Sequence, residues 1–160
     1  LKAGWNLISS NILPVNDSLE KIFENVADKI LIIKNGSGKV YIPQFGINSI
    51  GKWNKLDGYR VYSLAATSLN ILGYMINPST STYSLKAGWN QISYIRSSEM
   101  IANNAFQSLV DMDLLSIVKD EKGKTYIPEY GINQIGNLIP GRSYIIYVKA
   151  ATNFNYPANN

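Results

Sequence analysis

With 46% apolar and 16% charged side chains in 160 residues, eleven of them Tyr and three Trp, the chain has the balance of a folded, β-leaning domain rather than a disordered tail. It has neither Cys nor His, which excludes Cys and His metal sites, thiol catalysis, Ser-His-Asp triads and imidazole acid–base chemistry. The net charge of +4 comes from scattered bases with no more than two together, so no clustered nucleic-acid face is indicated, and no apolar run approaches the roughly 18 residues needed to cross a bilayer.

The chain opens on Leu1-Lys-Ala-Gly-Trp-Asn-Leu-Ile-Ser9, a turn running into a short strand, and the same words return as Leu85-Lys-Ala-Gly-Trp-Asn-Gln-Ile-Ser93. It starts directly on this motif, without an initiator Met or a signal peptide, and reads as a segment of a larger protein. Between Asn16 and Val26, the spacing of Leu19, Ile22, Phe23 and Val26 behind Asn16, Asp17 and Ser18 predicts an amphipathic helix. Its counterpart, Ser97 to Leu109, carries Ile101, Ala105, Phe106 and Leu109, and Asn103 and Asn104 predict a shorter or irregular helix there.

Ile30 to Ile33 and Leu114 to Val118 read as the most buried strand of each copy, followed by a hairpin turn and a returning strand that Pro43 or Pro128 closes. The block Lys39 to Gly51 then repeats almost unchanged from Lys124 to Gly136, and its Gly46-Ile-Asn-Ser-Ile-Gly51 portion predicts a compact turn with isoleucines in the core. Tyr59 to Leu64 and Tyr144 to Lys149 are strands, each followed by Ala-Ala-Thr and a last strand at Leu69 to Leu72 or Phe154 to Tyr156. The repeat unit is about 80 residues long. Alone, such a unit buries only about 60% of its unfolded surface, so the copies are expected to support each other.

Three features carry a resemblance: Gly-Trp-Asn-x-Ile-Ser, the Tyr-Ile-Pro-x-aromatic-Gly-Ile-Asn-x-Ile-Gly block, and a following Leu-x-x-Gly-x-x-Tyr at Leu138 to Tyr144. On these the chain resembles the tandem Gly-Trp-Asn repeats of large secreted or surface proteins of bacteria. The first copy departs from the last element, having Leu56 where the Gly belongs. The resemblance implies an extracellular, non-catalytic accessory module and carries no mechanism with it.

Candidate chemistry is thin. Gly36-Ser-Gly-Lys39 and Gly123-Lys-Thr125 lack the full phosphate-loop pattern and lead into strands. Asp111, Asp113, Asp120 and Glu121 lack the spacing of a calcium loop, and Asp57, Glu99 and Glu129 have no spacing that favours a glycosidase pair. The aromatic residues remain the best lead, because Tyr and Trp offer flat, amphipathic faces to sugars or peptides.

The reading is an α+β, mostly β chain of two tandem similar repeats, 1–76 and 83–160 with a linker at 77–82. Each repeat is roughly β-α-β-β-β-β, a small sheet or a partly open barrel or sandwich. Ile30, Ile32, Tyr41, Ile47 and Ile50 are assigned to one core, and Leu115, Ile117, Tyr126, Ile132 and Ile135 to the other. The expected function is that of a non-enzymatic structural, adhesive or attachment module at the cell surface or outside the cell, acting through protein or glycan contacts. A carbohydrate-binding module and a self-assembling fibre or surface-layer subunit are the alternatives. No metal, cofactor, nucleic acid or membrane insertion is expected. The candidate contact surface is Trp89, Gln91, Trp53 and Tyr94. Trp5 is expected in the core, because Leu7 makes its face of the strand apolar whereas Gln91 stands in that place beside Trp89.

Overall fold

The computed structural model describes residues 1–159 and is mostly β. The first half runs β1 (Gly4–Ile8), β2 (Ile12–Pro14), α1 (Leu19–Phe23), β3 (Ile30–Asn35), β4 (Val40–Ile42), β5 (Ile47–Asn48), β6 (Tyr59–Ser63) and β7 (Gly73–Met75). The second runs β8 (Tyr83–Leu85), β9 (Gly88–Ser93), β10 (Met100–Ile101), α2 (Ala102–Ala105), α3 (Gln107–Asp111), β11 (Leu115–Lys119), β12 (Thr125–Ile127), β13 (Ile132–Asn133), β14 (Asn137–Leu138), β15 (Ser143–Val148) and β16 (Thr152–Phe154). One five-stranded antiparallel sheet has the order β1-β6-β3-β4-β5 and another β9-β15-β11-β12-β13, and three two-stranded sheets flank them. No barrel closes among the described residues.

Local chemistry sets the elements. Ser18 caps α1, its Oγ accepting the Lys21 N–H at 3.3 Å, and the chain continues into a 3-10 turn over Glu24–Lys29. In the second half the helix breaks in two at Phe106, and neither piece has a side-chain cap. Pro43 and Pro128 end β4 and β12 and start 3-10 turns that close on Gly46 and Gly131 in the left-handed region. Beyond them, Asn48 and Asn133 accept the N–H of Gly51 and Gly136 at 2.7 and 2.8 Å, so the predicted turn is held by its asparagine.

The predicted core is right for Ile30, Tyr41, Leu115 and Tyr126, which are buried, and Ile50 and Ile135 pack at its margin. It is wrong for four isoleucines. The register of β3 against β6 shifts between Ile30 and Ile32, and that of β11 against β15 between Leu115 and Ile117. These bulges turn Ile33 and Val118 inward and leave Ile32 and Ile117 on the outer face. Ile47 pairs with Ile42 and Ile132 with Ile127, on the face opposite the buried tyrosines, so both are exposed. The strand expected at Leu69 to Leu72 forms later, as β7 against β2.

Where the halves meet, the contacts are reciprocal. Ile8 bridges Arg142, and Ile92, its counterpart in the sequence repeat, bridges Asp57, the counterpart of Arg142. The Ser9 N–H donates to Gly141 O at 2.9 Å, and the Ser93 N–H to Leu56 O at 3.1 Å. Gly58 faces its own counterpart, Ser143, so closely that a Cβ on Gly58 would lie 2.6 Å from the Ser143 Cβ. Each hairpin turn also reaches over an end strand of the other half's sheet, β1 or β9. The Glu121 carboxylate accepts the Leu7 N–H at 3.2 Å and pairs with Lys2 at 3.1 Å and Arg142 at 2.7 Å, while Gly36, in the equivalent place, lies against Gln91. Burial pushes the Glu121 pKa up, and the bonds from Lys2 and Leu7 with the Arg142 charge outweigh it, so the net shift is downward.

The 77–82 stretch is tied down. Asn77 caps Ser79 and accepts from the Ser81 hydroxyl, and Ile76 and Tyr83 on either side belong to the second core.

The close approach at Gly58 generates a test of the junction. Gly58→Ala is expected to destabilise the chain by about 1–3 kcal/mol through overpacking. Adding Ser143→Gly should recover much of that loss in urea unfolding, because the clash is with that side chain.

Candidate functional site

The Gly-Trp-Asn words build a display for their tryptophans. Gly4 and Gly88 take φ of +89° and +95°, which an L side chain rarely adopts. Asn6 then ties the turn: its Oδ1 accepts the Lys2 N–H at 3.0 Å and its Nδ2 donates to Lys2 O at 2.9 Å and Gly4 O at 3.0 Å. Asn90 makes the same three bonds to Lys86 and Gly88. With Asn6 and Ile8 directed inward, strand alternation directs the tryptophan outward.

Trp5 pairs across the strands with Tyr62, and Tyr62 with Ile32; Trp89 pairs with Tyr147, and Tyr147 with Ile117. The rings meet edge to face, with centroids 5.2 Å apart in both places. Lys34 stands 5.8 Å from the Trp5 ring and Lys119 4.7 Å from the Trp89 ring, within cation–π reach. The two tryptophans are 47% and 53% exposed, so neither is a core residue.

Continuing across each sheet, Ile42 and Ile47, or Ile127 and Ile132, extend the row, and Phe45 and Tyr130 project beyond it. The result in each half is a stripe from an exposed Trp to an exposed aromatic residue, with a lysine at the tryptophan end.

Clefts at the junction adjoin both tryptophans. One of about 390 Å³ is lined by Trp5, Lys34 and Arg60 from the first half and by Asp120, Glu121 and Ile145 from the second. The other, about 420 Å³, contains Trp89 and Gln91 with Gly36, Ser37, Asp57 and Lys86. Asp57 is held in a partly buried place, and burial raises its pKa.

Of the residues predicted for contact, Trp89 is on the open surface. Gln91 is half-buried under the opposing hairpin, with its Nε2 unpaired among the described residues. Trp53 is not a surface residue: it is 4% exposed, stacked on Tyr59 at 4.2 Å, because it plugs the first core from the loop after β5. Tyr94 is fully buried, its hydroxyl donating to Ser98 O at 2.9 Å and its ring packed on Tyr144 and Tyr156. Trp5, expected inside, is outside. Leu7 is buried as its apolar face suggested, but the other half covers it, and that cover stops short of Trp5.

Sequence reasoning missed Tyr62, Tyr147, Lys34 and Lys119. The available signal was that both pairs recur at the same 85-residue offset as the strands that carry them.

Several acidic residues are held in hydrogen bonds or ion pairs. Asp120 accepts the N–H groups of Lys122 and Lys124, Asp113 pairs with Lys149 at 2.6 Å, and Glu99 accepts from Asn137. Among the described residues no group of three or more metal-ligating side chains comes together, and no helix is long and apolar enough to cross a membrane. The sites analogous to a phosphate loop are β-hairpin turns, organised by the Asn35 and Asp120 side chains. Comparison with protein-family models, curated proteins and solved structures found no match to this chain.

These exposures predict distinct behaviour for the three tryptophans. In single-Trp variants, Trp5 and Trp89 should both emit at long wavelength and be open to acrylamide, and Trp53 should emit at short wavelength and be protected. Trp53→Ala is expected to cost about 3–5 kcal/mol. Trp5→Ala and Trp89→Ala should each cost about 1–2 kcal/mol, the worth of the lost ring pair and cation contact.

Proposed function

We propose that the chain is a non-catalytic adhesive or attachment module of a secreted or cell-surface protein, built of two repeats of one fold, that grips a protein or glycan surface through its paired Trp–Tyr–Lys faces. The observation that carries this reading is the presence of the same outward triad in both halves: Trp5, Tyr62 and Lys34, and Trp89, Tyr147 and Lys119. Rings left half in water add little to a core, and contiguous exposed apolar surface is characteristic of contact sites. Aromatic residues with a cation beside them are also the usual anchors of binding surfaces.

The extracellular address is supported by the Gly-Trp-Asn resemblance and is compatible with the absence of cysteine. The equivalence of the strand orders and the reciprocal junction support the two-repeat reading, whose limits at 1–76 and 83–160 rest on the sequence repeat alone.

A carbohydrate-binding module is the second reading, favoured by the flat, open indole rings. A fibre subunit is less well supported, since reciprocal contacts of the kind between Gly58 and Ser143 close on themselves instead of propagating.

Two equivalent faces predict avidity. On a glycan array and on immobilised extracellular-matrix proteins, either Trp5→Ala or Trp89→Ala should weaken binding to a dense surface by about 100-fold, and the double variant should lose it. Retention of a bound surface by a folded double variant would remove the tryptophans from the site. Glycan-only or protein-only binding by the unaltered chain separates the two readings.

A further inference from the structure

The two tryptophan faces differ in charge at one cross-strand pair. On the outer face of the first sheet, Arg60 of β6 stands directly opposite Lys34 of β3. Its neighbours Tyr59 and Val61 are fully buried, so strand alternation turns Arg60 outward, where it is exposed. In the second half the equivalent pair is Lys119 with Ile145, a cation opposite an apolar side chain.

Like charges directly opposite one another weaken a ladder. The nearby carboxylates do not relieve the first pair. Among the described residues neither Lys34 nor Arg60 is in an ion pair, although Asp120 and Glu121 line the same cleft. Glu121 is taken by Lys2, Arg142 and the Leu7 N–H, and Asp120 accepts the N–H groups of Lys122 and Lys124 in its own hairpin. Both free cations open on the cleft of about 390 Å³ that also holds Trp5, with the Lys34 Nζ 5.8 Å from the indole ring. That volume lies in the range of small-ligand sites, roughly 300–1,000 Å³. A local rule broken at a cost in stability, beside an exposed aromatic ring in a cleft, is the mark of a binding site.

We propose that the Trp5 cleft is a subsite for an acidic sugar, a saccharide unit bearing a carboxylate or a sulfate. The sugar ring lies on the flat indole face, and its anionic group is held between the Arg60 guanidinium and the Lys34 ammonium, the guanidinium fork matching the paired oxygens of such a group. Bound there, the anion neutralises the pair that the protein leaves open. The Trp89 cleft has Asp57 in its wall and no cation opposite Lys119, so it lacks this subsite. The proposal rests on the reading of the tryptophan faces as contact surfaces and names the ligand chemistry of one of them.

The test is an NMR titration of the full chain, isotope-labelled at its tryptophans so that the Trp5, Trp53 and Trp89 indole signals are read separately. The probes are trigalacturonic acid, a sulfated galactotriose, neutral galactotriose and tri-glutamate. At least one acidic trisaccharide should shift the Trp5 signal, leave Trp89 little moved, and bind about tenfold or more tightly than galactotriose. Arg60→Ile, which copies the residue at the equivalent position of the second half, should lower that affinity by about tenfold. The variant should melt no lower than the unaltered chain, since the like-charge pair is gone. Unchanged affinity for the acidic trisaccharides in Arg60→Ile would overturn the assignment, as would the absence of a Trp5 shift with any saccharide. Tri-glutamate binding as tightly as the acidic sugars would make the occupant an acidic peptide and overturn it too. Equal shifts of Trp5 and Trp89 by galactotriose, with no preference for the acidic forms, would refute the acidic subsite and leave the broader reading of the two faces standing.

Discussion

Strands β1 and β9 are each the end strand of a five-stranded sheet, and the chain leaving each one passes straight into the opposite half. Ser9 and Ser93 donate their N–H groups to Gly141 and Leu56, and the Ser9 hydroxyl donates to Tyr94 O at 3.2 Å and accepts the Tyr94 N–H at 3.1 Å. Buried backbone groups that lose such partners cost about 1–3 kcal/mol each, so this short stretch holds more than its length suggests. It also covers the far ends of two sheet edges, which would otherwise be open to pairing with other molecules. The two cores, one around Phe23, Trp53 and Tyr59 and the other around Phe106, Phe154 and Tyr156, stand on either side of it.

The same junction explains which part of each outer face stays open. Leu7 and Gln91 lie two residues past the tryptophans on the same face, and the opposing hairpins cover them. That cover ends at the clefts, where Trp5 and Trp89 begin. The halves are not identical here. Glu121 binds Leu7, Lys2 and Arg142, whereas the equivalent place against Gln91 is a glycine, and the first cleft is consequently the more charged of the two. Because the folded-state pKa of Glu121 lies below the ordinary carboxylate value, its contribution is present at neutral pH and fades as acid protonates it.

The β content, the hairpins, the proline stops and the first helix were legible in the sequence, since each depends on neighbours within a few residues. The errors have other causes. Ile32 and Ile117 left the core because of bulges, and nothing in an unbroken apolar run marks where the register shifts. Ile47 and Ile132 depend on pairing with Ile42 and Ile127, and Trp53 on stacking against Tyr59 and packing near Phe23. Trp5 was misplaced because Leu7 is indeed buried, but by residues more than a hundred positions away, the charged Glu121 and Arg142 among them, and not by a core that Trp5 shares. Contacts between copies carry no local periodicity, so the candidate site, which borders those contacts, was the least legible part.

Native-state hydrogen exchange tests directly whether the junction is an integral part of the folded unit. The amides of Ser9, Gly58 and Ser93 each donate across it. The account predicts that they exchange only through global unfolding, as slowly as core amides such as that of Val61 and with the same dependence on denaturant. Fast exchange of these three amides while both cores stay protected would mean that the halves are merely tethered, and would contradict it.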